Sequence, residues 1–215
     1  MYRLSEVKIS TDKNGSKRLR KDEEVYVKNG CLKTNPSLTS DAHFQFSKDN
    51  LLVDSQYAFI LVPAPFCGNL FKFFIFPQMY ENVIVIGNTI IEFELNQEST
   101  KYIITARRKD LHKSHQAISQ DLNTVIKISR DSDFLSEMKD DRVSTDHCYF
   151  GYDSTNCLFF VIDYGSLGNG STNGTYIKLK SQHNLIKRNT TIRIMRNDSI
   201  DYRIECVFVS QTQKD

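Results

Sequence analysis

The chain alternates short apolar runs with turn residues over most of its length. Residues 57–62, 70–76, 83–86, 90–95 and 102–104 are rich in Ile, Val, Phe and Tyr and are separated by Pro, Gly and Asn. β-Branched and aromatic side chains suit a pleated, half-buried surface, and the intervening residues punctuate turns, so each run predicts a strand. Strand signals resume at 125–128, 147–150, 158–162, 175–179, 191–194 and 202–209. Helical spacing occurs at 109–124, where Leu111, His115, Ile118 and Leu122 fall at i, i+4, i+7 and i+11. This stripe predicts one short helix or an ordered loop. The pattern predicts a mainly all-β chain, a β-sandwich with at most one or two short helices.

The first fifty residues have a different texture. They are polar, and the basic run Lys17-Arg18-Leu19-Arg20-Lys21 is followed at once by Asp22-Glu23-Glu24. Such a run reads first as a solvated surface turn, with a nuclear-import signal or a phosphate-binding patch as the alternative. Arg107-Arg108-Lys109 reads as a second surface turn. The expected organisation is a polar, partly flexible segment over 1–49, a β-rich extension over 50–119 that includes the opening strands of the sandwich or stands apart, the main sandwich over 120–210, and a tail over 211–215.

Composition narrows the function classes. In 215 residues, 40% are hydrophobic and 25% charged, with 28 Lys plus Arg against 26 Asp plus Glu, a net charge of +2. A balance so close to zero supplies no chain-wide attraction for nucleic acid, so electrostatic recognition is expected to be local. The most apolar window, 57–76, is broken by Pro63, Pro65, Gly68, Asn69 and Lys72, which predicts buried strands and no membrane helix. Its run of Phe71, Phe73, Phe74 and Phe76 reads as sheet core. The N-terminus lacks the apolar stretch of a signal peptide, and export is not expected. Cys31, Cys67, Cys148, Cys157 and Cys206 are scattered and never approach CxxC spacing, which predicts reduced thiols and no metal site. An intracellular setting, cytoplasm or nucleus, follows as the expectation.

Three elements recur in order near the C-terminus: Ile128-Ser129-Arg130, then Val143-Ser144-Thr145-Asp146-His147, then Gly170-Ser171-Thr172-Asn173-Gly174-Thr175, the last preceded by Asp163-Tyr164-Gly165-Ser166. Together they resemble the forkhead-associated (FHA) domain, whose pattern is Gly-Arg, Ser-x-x-His, and Asp-x-x-Ser with Asn-Gly-Thr. The resemblance covers about residues 125–209 and makes 120–210 the FHA core. It implies a β-sandwich of two twisted sheets, here with extra N-terminal β structure, that binds phosphothreonine peptides through loops at one edge, with no catalysis and no cofactor. By the family pattern Arg130 would pair with the phosphate, Ser144 would hydrogen-bond it, and Asn173 would fix the peptide main chain. Thr172 and Lys127 join them as candidate contacts, with Lys178 a further source of positive charge, while His147 and Gly174 would brace the loops.

The residue chemistry points the same way. A phosphate dianion is held best by a guanidinium fork together with hydroxyl or amide donors. Departures from the pattern keep a rival reading open: Ser129 stands in place of Gly, Asp146 would repel phosphate, and residues 167–172 are inserted ahead of Asn173. In that reading the chain is a structural subunit of a larger cytoskeletal or signalling assembly and reads no phosphate. Ser144, His147 and Asp163 share side-chain types with a hydrolase triad, but no Gly-x-Ser-x-Gly elbow surrounds the serine, so no enzyme is expected. His112 and His115, three apart, lack companion ligands and read as a solvated helix face.

Overall fold

The computed structural model describes residues 2–12, 15–29, 31–36, 40–47, 50–65, 70–96, 98, 100–109, 116–136, 138–165, 169–181, 184–186, 189–196 and 199–210. The chain is nearly all β, in antiparallel sheets, as the alternating pattern predicts. It packs as two compact units, residues 1–60 with 179–215 and residues 61–178.

The first unit opens with β1 (Tyr2–Thr11), β2 (Gly15–Leu19), β3 (Glu24–Lys28), β4 (Cys31–Lys33), β5 (Ala42–Ser47), β6 (Asn50–Asp54) and β7 (Ala58–Leu61). It is completed at the other end of the chain by β17 (Asn184–Ile186), β18 (Thr190–Met195) and β19 (Ser199–Ser210). One sheet runs β7-β18-β19-β1-β2 and the other β17-β6-β5-β3-β4. Their inner faces carry Val7, Ile9, Leu19, Val25, Val27, Phe44, Phe46, Ile192 and Ile204, all essentially out of solvent. Phe44 of β5 meets Tyr202 of β19 at 6.0 Å between ring centroids, which places the core between the sheets.

The second unit holds β8 (Phe73–Ile75), β9 (Tyr80–Ile86), β10 (Thr89–Asn96), β11 (Lys101–Arg108), β12 (Gln116–Asp121), β13 (Ile126–Ile128), the single-turn α1 (Asp133–Ser136), β14 (Cys148–Asp153), β15 (Leu158–Asp163) and β16 (Thr175–Leu179). Its sheets run β16-β9-β10-β11-β12 and β8-β15-β14-β13. An aromatic cluster joins them. Phe93 of β10 lies 4.8 Å from Phe150 of β14 and 4.7 Å from Phe159 of β15. Such tilted contacts add to the area they bury.

Several expectations change. The described residues of the first fifty hold the strands β1 to β5 and the start of β6, several with a buried face, because Glu6-Val7-Lys8-Ile9, Glu24-Val25-Tyr26-Val27 and His43-Phe44-Gln45-Phe46 alternate with period two. The basic run is no plain turn: Lys17, Arg18 and Leu19 belong to β2, and Leu19 is fully buried. Arg107 and Arg108 likewise close β11, with Arg107 paired to Glu92 and Arg108 donating to the carbonyls of Met138 and Lys139. Within 109–124, where a short helix or an ordered loop is expected, the described residues 116–121 form the strand β12. Ile118 of that stripe sits on a strand at the sheet's edge, where Ala117 to Gln120 are never fully buried and no face had to be enforced. Leu111, His112 and His115 lie outside the described residues. Phe73 is core, whereas Phe71 and Phe76 are exposed. The two compact units divide the chain after residues 60 and 178, with 179–215 in the first unit.

No helix among the described residues is long and apolar enough to cross a membrane. Cys31, Cys148, Cys157 and Cys206 are free thiols, and Cys67 lies outside the described residues. Burial pushes the Cys148 thiol well above its usual range, so it acts as a small apolar core residue.

Candidate functional site

In the second unit, β13 and β14 pair with Ile128 opposite Cys148, so the connection 129–147 leaves and returns at one end of the sheet. The Arg130 amide donates to the Ser144 carbonyl at 3.0 Å and pins the base of this loop. The Arg130 side chain then folds along it, with Nε donating to the Val143 carbonyl at 2.8 Å and Nη2 to the Asp141 carbonyl at 2.9 Å. Two of five guanidinium protons are used, and Arg130 stays exposed.

The second loop, between β15 and β16, comes to the same end. Asn173 Nδ2 donates to the Arg142 carbonyl at 2.7 Å, and the Thr172 amide donates to Ser144 Oγ at 3.4 Å. Ser144 therefore accepts from Thr172 and keeps its hydroxyl proton for another acceptor. Arg130, Ser144, Thr172 and Asn173, four of the residues singled out from sequence, form one contact network. Lys127 is spoken for: it makes an ion pair with Asp146, which holds its ammonium protonated above the usual range. The same pair neutralises the Asp146 carboxylate. Lys178 is engaged by Glu81 at 2.6 Å.

Beneath the loops sits a buried polar frame. His147 is wholly buried; its Nδ1 accepts from the Ser144 amide at 3.1 Å, which leaves the proton on Nε2 to donate to the Gly174 carbonyl at 3.3 Å. Burial lowers the His147 pKa, against the raising pull of Asp163, the Gly174 carbonyl and Asp140, so the imidazole is held neutral. Asp163, also buried, accepts from the Ser171 hydroxyl at 2.6 Å and the Thr175 hydroxyl at 2.7 Å through Oδ1, and from the Ser171 amide at 3.1 Å through Oδ2. Gly174 adopts a φ of +72°, and a Cβ there would lie 2.5 Å from Leu61 Cδ1, so glycine suits the turn that presents Asn173. Ser129, in place of the usual Gly, is buried and caps a turn by accepting from Ser132.

Sequence reasoning missed Asp140, Arg142 and Asn88. Asp140 is buried and accepts from the Asn88 amide at 2.7 Å, the Thr89 hydroxyl at 2.8 Å and the Arg142 amide at 3.2 Å. Arg142 is exposed beside Asn173 and reaches Asn88 Oδ1 at 3.3 Å. The signal was Asp140-Asp141-Arg142 just ahead of Val143-Ser144, a short carboxylate able to cap its own turn. His147, Asp163 and Ser144 are not arranged for catalysis: Nδ1 of His147 is taken by an amide and Asp163 by hydroxyls and an amide.

The arrangement presents a guanidinium with spare donors, a hydroxyl and a side-chain amide at one loop edge, which suits an anion carried on an extended chain. No curated protein matches the chain, and no solved structure matches it. A family model does match, over less than half of the length: residues 126–202 are similar to the FHA domain, a family of non-enzymatic protein-interaction domains.

Proposed function

We propose that this chain binds phosphothreonine-containing peptides of a partner protein through the second unit's loop edge, with Arg130 and Ser144 taking the phosphate, Asn173 the peptide main chain, and Thr172 alongside. The observation that carries this reading is the single contact network of Arg130, Ser144, Thr172 and Asn173 at one end of the sandwich. Arg130 keeps three guanidinium protons, and charge-assisted bonds from a planar fork are the strong ones for a phosphate. His147, Asp163 and Gly174 act from below, fixing both loops before a ligand arrives, so little ordering is left to oppose binding. Lys127 contributes through Asp146, which it neutralises, and not as a free phosphate contact. Free thiols support an intracellular setting, cytoplasm or nucleus.

One observation favours a scaffold reading without phosphate. Arg130 and Asn173 both donate to carbonyls of 141–143, so the chain's own loop already engages the side chains a peptide would use. A degenerate phosphothreonine peptide library against its unphosphorylated twin separates the two. Phosphate-dependent binding that weakens at least ~30-fold in Arg130→Ala supports the reader, since truncating one partner of a charged pair costs about 2 kcal/mol or more. Equal binding of both libraries by folded protein leaves the scaffold role.

A further inference from the structure

The two units share one strand plan. Reading across the sheets, β7-β18-β19-β1-β2 in the first unit corresponds position by position to β16-β9-β10-β11-β12 in the second, and β17-β6-β5-β3 to β8-β15-β14-β13. In chain order the two halves therefore repeat: β1, β2, β3, β5, β6, β7 match β11, β12, β13, β14, β15, β16, and β8, β9, β10 match β17, β18, β19. The loops repeat too. Ser40-Asp41-Ala42-His43 spans the start of β5, and Ser144-Thr145-Asp146-His147, with the same Ser-x-x-His spacing, runs up to the start of β14. In each unit a buried carboxylate ahead of that strand grips the turn of a closing hairpin: Asp41 takes Arg196 Nη1 at 2.8 Å after β18, and Asp140 takes Asn88, between β9 and β10, and Thr89, the first residue of β10.

The closing strands, however, are in the other half's unit. β8–β10, from the first half, complete the second unit; β17–β19, from the second half, complete the first. The cause is in the chain. Only residues 97–100 join β10 to β11, and the two strands pair without a break from Asn96 opposite Lys101 to Thr89 opposite Arg108. So short a link makes antiparallel neighbours of the strands it joins. β9 takes the other edge of β10. With both edges filled, β10 has none for β1, and β1 pairs with β19 from Tyr2 opposite Ser210 to Thr11 opposite Tyr202.

We infer that the chain is a tandem repeat of one sandwich fold whose halves have exchanged their last three strands, so that residues 73–96 of the first half complete the unit that carries the ligand loops. Exchange of like elements is a low-cost rearrangement, and short hinges favour it. Two consequences concern the site, and these rest on the phosphopeptide reading. The segment bracing Asp140 and Arg142 lies outside residues 126–202, the family-matched stretch, which makes Thr89 a positioning residue. Among the described residues the first unit holds no second reader site: in sequence, Asn29 and Gly30 follow β3 where Arg130 follows β13, and only Ser55–Tyr57 lie between β6 and β7, with no counterpart of Asn173.

Cross-strand NOEs in the intact chain decide the exchange without any ligand. Contacts of Ile9 with Ile204 and of Phe93 with Ile104 are expected; contacts linking β1 to β10 and β11 to β19 overturn it. Thr89→Val should shift the amide resonances of Arg142 and Val143 and weaken phosphopeptide binding about tenfold, the loss of one buried hydrogen bond, with Thr89→Ser restoring both. Unchanged resonances in Thr89→Val sink the positioning role. Titration should end at one peptide per chain, and two would refute the single site. A chain that binds no phosphopeptide defeats the proposed function while the NOEs still decide the strand exchange.

Discussion

Thr175 donates its hydroxyl proton to Asp163 at 2.7 Å, and both side chains are out of solvent. The same carboxylate holds Ser171, so one buried group ties the start of β16 to the loop that presents Asn173. Asp163→Ala would strip Thr175 of its partner in a site water does not reach, and buried unsatisfied groups are costly. The expected loss is about 2–4 kcal/mol. A urea titration gives the value, and a midpoint within error of the parent would count against the carboxylate as the loop's anchor.

His147 gives the stability a pH dependence of known sign. Its ordinary pKa of 6.5 is lowered in the fold by burial. As pH falls through 6.5 the unfolded chain takes up a proton at this residue and the folded chain does not. Unfolding is then coupled to proton uptake, so stability from this group is full above pH 6.5 and is lost as pH falls toward the lowered value. The slope from one such group is at most about 1.4 kcal/mol per pH unit. Denaturant titrations at pH 7.5 and 5.5 should show the drop, and His147→Gln, less stable at pH 7.5, should show a smaller one. Equal pH dependence in parent and variant would assign the effect elsewhere.

Legibility followed the range of the interactions. Arg130, Ser144 and Asn173 could be picked out because loop chemistry is local: their residue types and order suffice, and the fold brings them to one edge. The strands of the first fifty residues were also written in the chain, as the alternation of Val7 and Ile9 with Lys8 and of Phe44 and Phe46 with Gln45, but a polar average hides a period-two face. β12 misled because an edge strand with no fully buried residue among 117–120 leaves its sequence free to show any period. Which strands pair across the chain is a non-local matter, and the only local cue to it was the short link at 97–100. Asp140 and Arg142 escaped for the same reason: their partners Asn88 and Thr89 are more than fifty residues upstream.

The Lys127 and Asp146 pair makes a prediction of opposite sign to a damaging mutation. Both groups are partly exposed, so their attraction adds little to stability. Removing the carboxylate with Asp146→Asn releases Lys127 and takes a negative charge away from the loop edge. Affinity for a phosphothreonine peptide should rise severalfold at low ionic strength and converge on the parent's at high salt, where such long-range terms are screened. Fluorescence anisotropy at two salt concentrations tests it, and an equal or weaker affinity at low salt would mean that Asp146 lies out of the ligand's field.

Gly165 and Gly174 both have left-handed backbones, with φ of +63° and +72°, yet they should not respond alike to alanine. A left-handed conformation alone costs an L-residue about 1–2 kcal/mol. At Gly174 the added Cβ meets Leu61 Cδ1 at 2.5 Å, the tip of a side chain that can rotate away, so the total should stay near that figure. At Gly165 it would sit 1.7 Å from the Gly170 carbonyl oxygen and 2.0 Å from its carbon, and main chain cannot step aside. The contact it would break into is the turn itself, closed by the Gly170 amide donating to the Tyr164 carbonyl at 2.8 Å. Since Ser171 and Asp163 bond directly after that turn, disruption there should reach Thr172 and Asn173. Gly165→Ala is therefore expected to lower the thermal midpoint more than Gly174→Ala and to weaken peptide binding as well; the reverse order of midpoints would show that the loop tolerates a new path at Gly165.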